Sequence, residues 1–299
     1  MRFFVRLQNR RADANHPGSE TYLGKFPGSP FRIFERFARG EGELRQSRDG
    51  EFFVKAPSIT RKWKRLIAVG CSHGIHADSR AVEAVIKFRE DYKPDTCVHL
   101  GDFCDTAAFR AGARGTNDES EPVQPDVDGG LDFLERLRPT LVFCGNHEDR
   151  LFRLANSSNA IMAHCAQTVI SDIYKVTGGL KAELVEWNGI RQGRMIGGYR
   201  FMHGVFYNEN ATRDHAEAFG NVVHAHTHRA AVAKGRRSDS PTGYCVGTLT
   251  RMGALEYAKA RRATMAWSGG FVWGEYTDNS AVLWLHEQPS NVAEWRLPK

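Results

Sequence analysis

The chain has 299 residues, a net charge of +6, 41% apolar and 25% charged residues, the balance of a soluble globular protein long enough for one large domain with insertions or for two. No run approaches the roughly 18 to 20 uninterrupted apolar residues a membrane span needs, and the start, MRFFVRLQNRR, lacks the apolar core and cleavage site of a secretory signal. The six cysteines (71, 97, 104, 144, 165 and 245) contain no C-x-x-C pair, so reduced thiols and a cytoplasmic location are expected rather than a disulfide scaffold.

The charge is unevenly spread. Residues 1–65 hold 15 Lys and Arg against 7 Asp and Glu, a net +8, which leaves the remaining 234 residues at −2. Residues 1–63 therefore read as a basic N-terminal extension. Such a segment meets DNA, RNA or another polyanion, or packs on a sister subunit in a homo-oligomer. Turn signals punctuate it (HPGS, FPGSP, RGEGE, RDGE), and one amphipathic piece, PFRIFERFARG, puts Phe31, Phe34 and Phe37 at helical spacing.

From residue 64 to 299 strand and helix alternate. RLIAVGC reads as a buried strand. SRAVEAVIKFREDY is a helix with Ala81, Val82, Val85, Ile86 and Phe88 on one face. TCVHLGD is a second strand, and GARGTNDESEPVQPDVDGG (112–130) a long polar loop. GLDFLERLRP is a second helix and TLVFCGN a third strand. Residues 151–195 are expected to be helical with a weak strand, as a cap insertion. The last third is strand-rich: YRFMHGV, NVVHAHTH, GYCVGTL, and the pair FVWGEYTD and AVLWLHE. This order implies right-handed crossovers and a largely parallel sheet covered by helices.

Open α/β sheets carry ligand groups at the carboxyl ends of their strands. Five strand ends here carry metal-capable residues: Cys71-Ser-His73, Gly101-Asp102-Phe-Cys-Asp105, Gly145-Asn146-His147-Glu148, His203-Gly204 and His226-Thr-His228. One such block is weak, since a lone His on a strand is more often structural. Five in succession point to a metal centre.

In these blocks the chain resembles the calcineurin-like metallophosphoesterases of compact phage and bacterial type, whose motifs run D-x-H, G-D-x-x-D, G-N-H-[ED], H and G-H-x-H. The resemblance covers residues 64–232, with Cys71 for the first Asp and Ala225 for the Gly of the last motif. It implies a four-layer α/β/β/α sandwich around two divalent metal ions. Carried over, His73, Asp102 and His228 would bind the first ion with Cys71 in the Asp position. Asp102 would bridge to a second ion held by Asn146, His203 and His226. His147 would be the catalytic His and Asp105 its orienting carboxylate.

The residue types suit that chemistry. One carboxylate can bridge cations about 3.5 to 4 Å apart, with a hydroxide shared between them attacking the phosphorus in line. Mixed imidazole, amide and carboxylate ligation admits Zn, Fe or Mn. Arg110 and Arg150 follow ligand blocks and are candidates for gripping substrate phosphate with a forked guanidinium. Protein phosphatases of this superfamily carry an Arg directly after the second Asp of the second motif; Thr106 stands there, which argues against a phosphoprotein substrate. His76 and Asp78 are expected to be outer partners, a substitute ligand or a helix-entry pair, and His99 and His224 are expected to pack.

The expected activity is a metal-dependent phosphoesterase, more specifically a phosphodiesterase or nuclease on nucleic acid or nucleotides. The alternatives are a phosphomonoesterase and a metal-impaired scaffold or nucleic-acid-binding protein of the same fold.

Overall fold

The computed structural model describes residues 63–259, 262–288 and 294–298, together with three short strands before them. Those strands, β1 (Thr21–Tyr22), β2 (Glu43–Gln46) and β3 (Phe52–Lys55), form an antiparallel sheet in the order β1-β3-β2 within a unit spanning residues 1–62. Segments of two to four residues are too short to show a period, which is why the sequence did not announce them. The Phe31, Phe34 and Phe37 stripe lies outside the described residues.

The second unit, residues 63–299, is built on two sheets. The first has β4 (Lys64–Val69), β5 (Thr96–His99), β6 (Leu141–Phe143) and β7 (Glu183–Val185) in parallel, with β13 (Gly270–Tyr276) and β14 (Ala281–Glu287) added antiparallel beside β4. The second contains β8 (Arg194–Ile196), β9 (Tyr199–Phe201), β10 (Val222–His224), β11 (Ala230–Lys234) and β12 (Thr242–Val246), ordered β11-β12-β10-β9-β8. The short edge strands β8 and β11 were not legible in the sequence.

The pleat of β4 sorts its side chains between layers. Leu66 and Ala68 join Val98, Leu100 and Phe143 against Phe201, Val223, Ala225 and Val246 of the other sheet. Ile67 and Val69 point the other way, onto Val82, Val85 and Phe88 of α1 (Ser79–Tyr92). Also outside the first sheet lie α2 (Val123–Leu137) and α4 (Ala160–Gly179), where Leu134, Val169 and Ile173 bury against Phe103 and Val142. Outside the second sheet, Ala216 of α5 (Ala211–Phe219) packs on Met202 and Val222. Helix, sheet, sheet and helix give the expected four layers. Each fully buried Leu, Val or Phe contributes about 1.5 to 3 kcal/mol to holding them together.

Helix α1 has the bounds its periodicity predicts. Asp78 caps it, its Oδ1 accepting the Arg80 N–H at 3.0 Å. The loop expected over 112–130 is shorter than that, because α2 already starts at Val123. Pro125 falls in the first turn, where its missing N–H has no intrahelical partner to lose. The glycines that read as loop are packing residues: a Cβ on Gly130 would lie 2.5 Å from the Phe103 carbonyl oxygen and 2.7 Å from Cys104 Sγ. The helix can approach the loop after β5 only with hydrogen at that position.

Residues 151–195 continue α3 (Asn146–Leu154), then form α4 and the edge strand β7. All six cysteines are free thiols. Among the described residues no helix is long and apolar enough to cross a membrane.

Candidate metal centre

All five motif blocks follow the carboxyl ends of strands, β4, β5 and β6 in one sheet and β9 and β10 in the other. Backbone hydrogen bonds lace the loops together: Cys71 N–H to Gly101 O at 2.9 Å, His73 N–H to Asp102 O at 3.0 Å, and Ala225 N–H to His203 O at 2.8 Å. Gly145 allows the third loop to close on the second, since a Cβ there would lie 2.1 Å from Asp102 Oδ1. Five of the site residues, Cys71, His73, Asp102, His226 and His228, adopt left-handed backbone with φ between 54 and 70°. That conformation costs a non-glycine residue on the order of 1 kcal/mol and persists where surrounding structure enforces it.

The side chains gather into two clusters that share Asp102. In the first, ligand atoms of Cys71, His73, Asp102 and His228 all lie within 4.8 Å of one another. His73 Nε2 stands 3.0 Å from His228 Nε2 and 3.9 Å from Asp102 Oδ2. In the second, His203 Nε2 lies 3.1 Å from Asp102 Oδ2, 3.1 Å from Asn146 Oδ1 and 3.2 Å from His226 Nδ1.

Two imidazole nitrogens facing each other at 3.0 Å can share at most one proton, and His228 Nδ1 is buried without a hydrogen-bond partner. Nitrogen, oxygen and sulfur donors converging in this way suit a divalent cation in each cluster, with the Asp102 carboxylate between them. Burial raises the proton affinity of Asp102, but His147, His203 and His73 outweigh it and hold the carboxyl well below its ordinary range. Burial and then the charges of neighbouring histidines depress His226 to about 3 and His228 well below its usual value. Neutral imidazole is the form a metal takes.

His147 enters from the start of α3. Its Nδ1 donates to the Asp105 carbonyl at 2.6 Å and lies 3.0 Å from the Asp105 carboxylate, so Asp105 orients the ring through main chain and side chain together. The same carboxylate oxygen lies 2.7 Å from His73 Nδ1. Arg150 Nη2 is 3.2 Å from His147 Nε2, and Arg150 Nη1 donates to the Asp105 carbonyl at 2.9 Å. Arg110 does not join this group: its Nε donates to Asp118 at 2.8 Å, and its guanidinium lies over the Tyr257 ring.

Residues 64–246 match the sequence model of the calcineurin-like phosphoesterase family. The chain belongs to that family. The family's enzymes are metal-dependent phosphoester hydrolases, in keeping with the two donor clusters. The chain is 26% identical to the Gene 54 protein of Mycobacterium phage D29 over 70% of its own length and 87% of that protein. It is 27% identical to the Gene 54 protein of phage L5 with the same coverages. Among solved structures it is similar to Yfce, a phosphoesterase from E. coli, with 16% identity, a TM-score of 0.34 and coverage of 74% of this chain and 98% of that one.

Several supporting roles in the phosphoesterase site escaped the sequence reading, including those of Glu148 and Thr106, which stand in or directly after the motif blocks. Glu148 accepts backbone N–H groups from Asp102 (2.9 Å), Cys104 (3.0 Å) and Gly145 (2.7 Å), clamping two motif loops. Burial and the Asp102 charge raise its carboxyl to about 7 against those donors. Its position three residues after Gly145, at a helix start, lets it make the return half of a capping box, accepting the Gly145 N–H. Asp126 of α2 accepts from the backbone of Asp105 and Thr106, and Thr106 Oγ1 donates to the His147 carbonyl at 2.9 Å. Gln192 accepts the His203 N–H at 2.9 Å. Half-buried Trp267 and Tyr257 lie edge-on or tilted against His228 and His147, with ring centroids 4.2 and 6.0 Å apart.

His99 and His224 are structural, as expected. His99 accepts the Gly101 N–H at 3.2 Å and is held by burial at about 3, and His224 stacks on His215. His76 pairs with Glu121 at 2.9 Å beside Asp105.

Proposed function

We propose that this protein is a phosphodiesterase with two divalent metal ions that acts on nucleic acid or nucleotides. The observation that carries the reading is the convergence of His73, Asp102 and His228 in one cluster and Asn146, His203 and His226 in another, with Asp102 common to both. Bound there, Zn, Fe or Mn supplies Lewis acidity toward the phosphoryl oxygens and a nucleophile at neutral pH. The protein's own groups do the rest.

Arg150 presents its guanidinium beside His147 Nε2 and binds a phosphoryl oxygen, fixing the ester relative to the cluster. His147, tethered through Nδ1 to Asp105, turns Nε2 toward the leaving oxygen and delivers its proton, a contribution of roughly 10² to 10⁴ in rate. Asp105 fixes the orientation and tautomer of the ring for that transfer. The charge of +8 on residues 1–65 favours a polyanionic substrate, drawn in by its backbone phosphates.

The test is hydrolysis of bis(p-nitrophenyl) phosphate and of single-stranded and duplex DNA, after chelation and reloading with Mn, Zn, Fe or Ni. Release of one p-nitrophenol per diester, with p-nitrophenyl phosphate left uncleaved and DNA cut, supports the reading. Hydrolysis of p-nitrophenyl phosphate alone would replace it with a monoesterase, and silence on every substrate with every metal would end the enzymatic reading. Removing residues 1–62 should weaken DNA binding and flatten its salt dependence.

A further inference from the structure

We propose that Cys71 coordinates a metal ion through sulfur, giving this phosphoesterase a thiolate where its family's motif carries a carboxylate. The proposal rests on the metal-centre reading above and deepens it.

Cys71 is fully buried at the rim of the inter-sheet core, beside Leu100 and Ala225. A small apolar side chain would suit that place equally well. Three observations favour a ligand. Sγ lies within 4.8 Å of ligand atoms of His73, Asp102 and His228, all buried. The sulfur accepts the His226 backbone N–H at 3.2 Å, so it is aimed at the loop that carries both of the last histidines.

The backbone at Cys71 is also left-handed, with φ of 54°, a conformation that Asp tolerates better than most residues. It is enforced by unusually dense bonding at the Cys71 carbonyl. That oxygen accepts from Thr248 Oγ1 at 2.8 Å, Thr250 Oγ1 at 2.8 Å and the Leu249 N–H at 3.2 Å. The fold thus holds the 71 side chain in the pose of a ligand, and a sulfur occupies that pose.

Coordination replaces the S–H proton with the cation and releases that proton to solvent. The N–H···S bond from His226 persists in the thiolate form and strengthens as charge builds on sulfur. Because the same residue 226 carries an imidazole of the second cluster, the sulfur links the two halves of the site. A soft donor shifts selectivity toward Zn, Fe and Co and away from Mn and Mg.

The experiment uses the full chain, stripped with chelator and loaded with Co²⁺, and follows near-ultraviolet sulfur-to-cobalt charge transfer alongside cobalt content. Wild type should show the band. It should vanish in Cys71→Asp and Cys71→Ser while both variants keep circular dichroism, bound cobalt and visible d–d absorption. Cys165→Ser, an exposed control, should leave the band unchanged.

Cobalt bound without a charge-transfer band in wild type, or a band that survives Cys71→Ser, overturns the sulfur ligand. If diester hydrolysis is intact in that case, the phosphoesterase reading stands without it. Absence of any bound cobalt in wild type overturns the metal centre itself, and the sulfur ligand with it.

Discussion

Nδ1 of His73 lies 2.7 Å from Oδ1 of Asp105. That oxygen is also 3.0 Å from Nδ1 of His147, so one buried carboxylate orients both a donor of the first cluster and the His147 ring. Holding a ligand imidazole by its far nitrogen fixes its tautomer, and such partners are typically worth about 10- to 100-fold in metal affinity or activity. Asp105→Asn should therefore weaken metal binding and lower kcat together. Isothermal titration with Zn²⁺ and steady-state kinetics check this; a loss in kcat with unchanged metal affinity would confine Asp105 to His147.

The two arginines should separate cleanly. Arg150 reaches His147 Nε2 and the Asp105 carbonyl, whereas Arg110 neutralises Asp118, which is 2% exposed. Arg150→Ala should cost roughly 10² in kcat/KM on a diester, the scale for losing one donor to a developing phosphoryl charge, with little change in Tm. Arg110→Ala strands a buried carboxylate and should cost about 3 kcal/mol in unfolding free energy. Denaturant melts and initial rates on the same preparations decide between these roles, and equal effects of both variants on kcat/KM would refute the assignment.

The motif blocks were legible because each follows a strand end, and five such runs of His, Asp and Asn in succession outweigh the structural duty that any one of them could serve. The alternation of strand and helix revealed a parallel sheet covered by helices, while the second sheet came only with the family resemblance; Leu66 and Ile67, adjacent in sequence, bury into different layers, so the strand reads as a continuous apolar run. What stayed hidden acts at long range with ordinary side chains. Asp126 supports the Asp105 loop from 20 residues away, and Gln192 holds His203 from the connection between β7 and β8. Neither carries a local signature. Gly129 and Gly130 signalled a loop because a glycine kept for close approach looks, in sequence, like a glycine kept for a turn.

Acid should loosen this fold through two buried histidines that cannot take up a proton while folded. His215 and His224 stack at 4.0 Å, and His215 Nε2 accepts N–H groups from Val205 and Phe206, just after His203. Burial, and then the neighbouring His224, hold His215 at about 2, and burial holds His224 at about 4. Both are neutral when folded but titrate near 6.5 when unfolded. The unfolded state therefore binds more protons below about pH 6.5, and the stability these residues contribute above it is lost as pH falls toward about 4. In chelated protein, urea unfolding of His224→Leu should show a shallower acid decline over that window than wild type; parallel curves would mean His224 is not a source of it.

Two helix glycines have opposite surroundings. A Cβ at Gly130 of α2 would meet the Phe103 carbonyl oxygen at 2.5 Å and Cys104 Sγ at 2.7 Å, both in the loop between Asp102 and Asp105. Neither atom is the end of a flexible chain, so the helix or the loop must shift. Gly130→Ala should destabilise by about 1 to 3 kcal/mol, the range for overpacking, and should loosen metal binding because Asp126 of the same helix supports the loop from which Asp102 and Asp105 project. Gly178, near the end of α4, has nothing within 4 Å of an added Cβ. Removing its backbone freedom should stabilise by about 0.5 to 1 kcal/mol without touching the site. Thermal melts and Zn²⁺ titrations of the pair give opposite signs in Tm and a metal effect in Gly130→Ala alone. Equal Tm shifts would mean that the close approach of α2 to the Asp102 loop does not shape this centre.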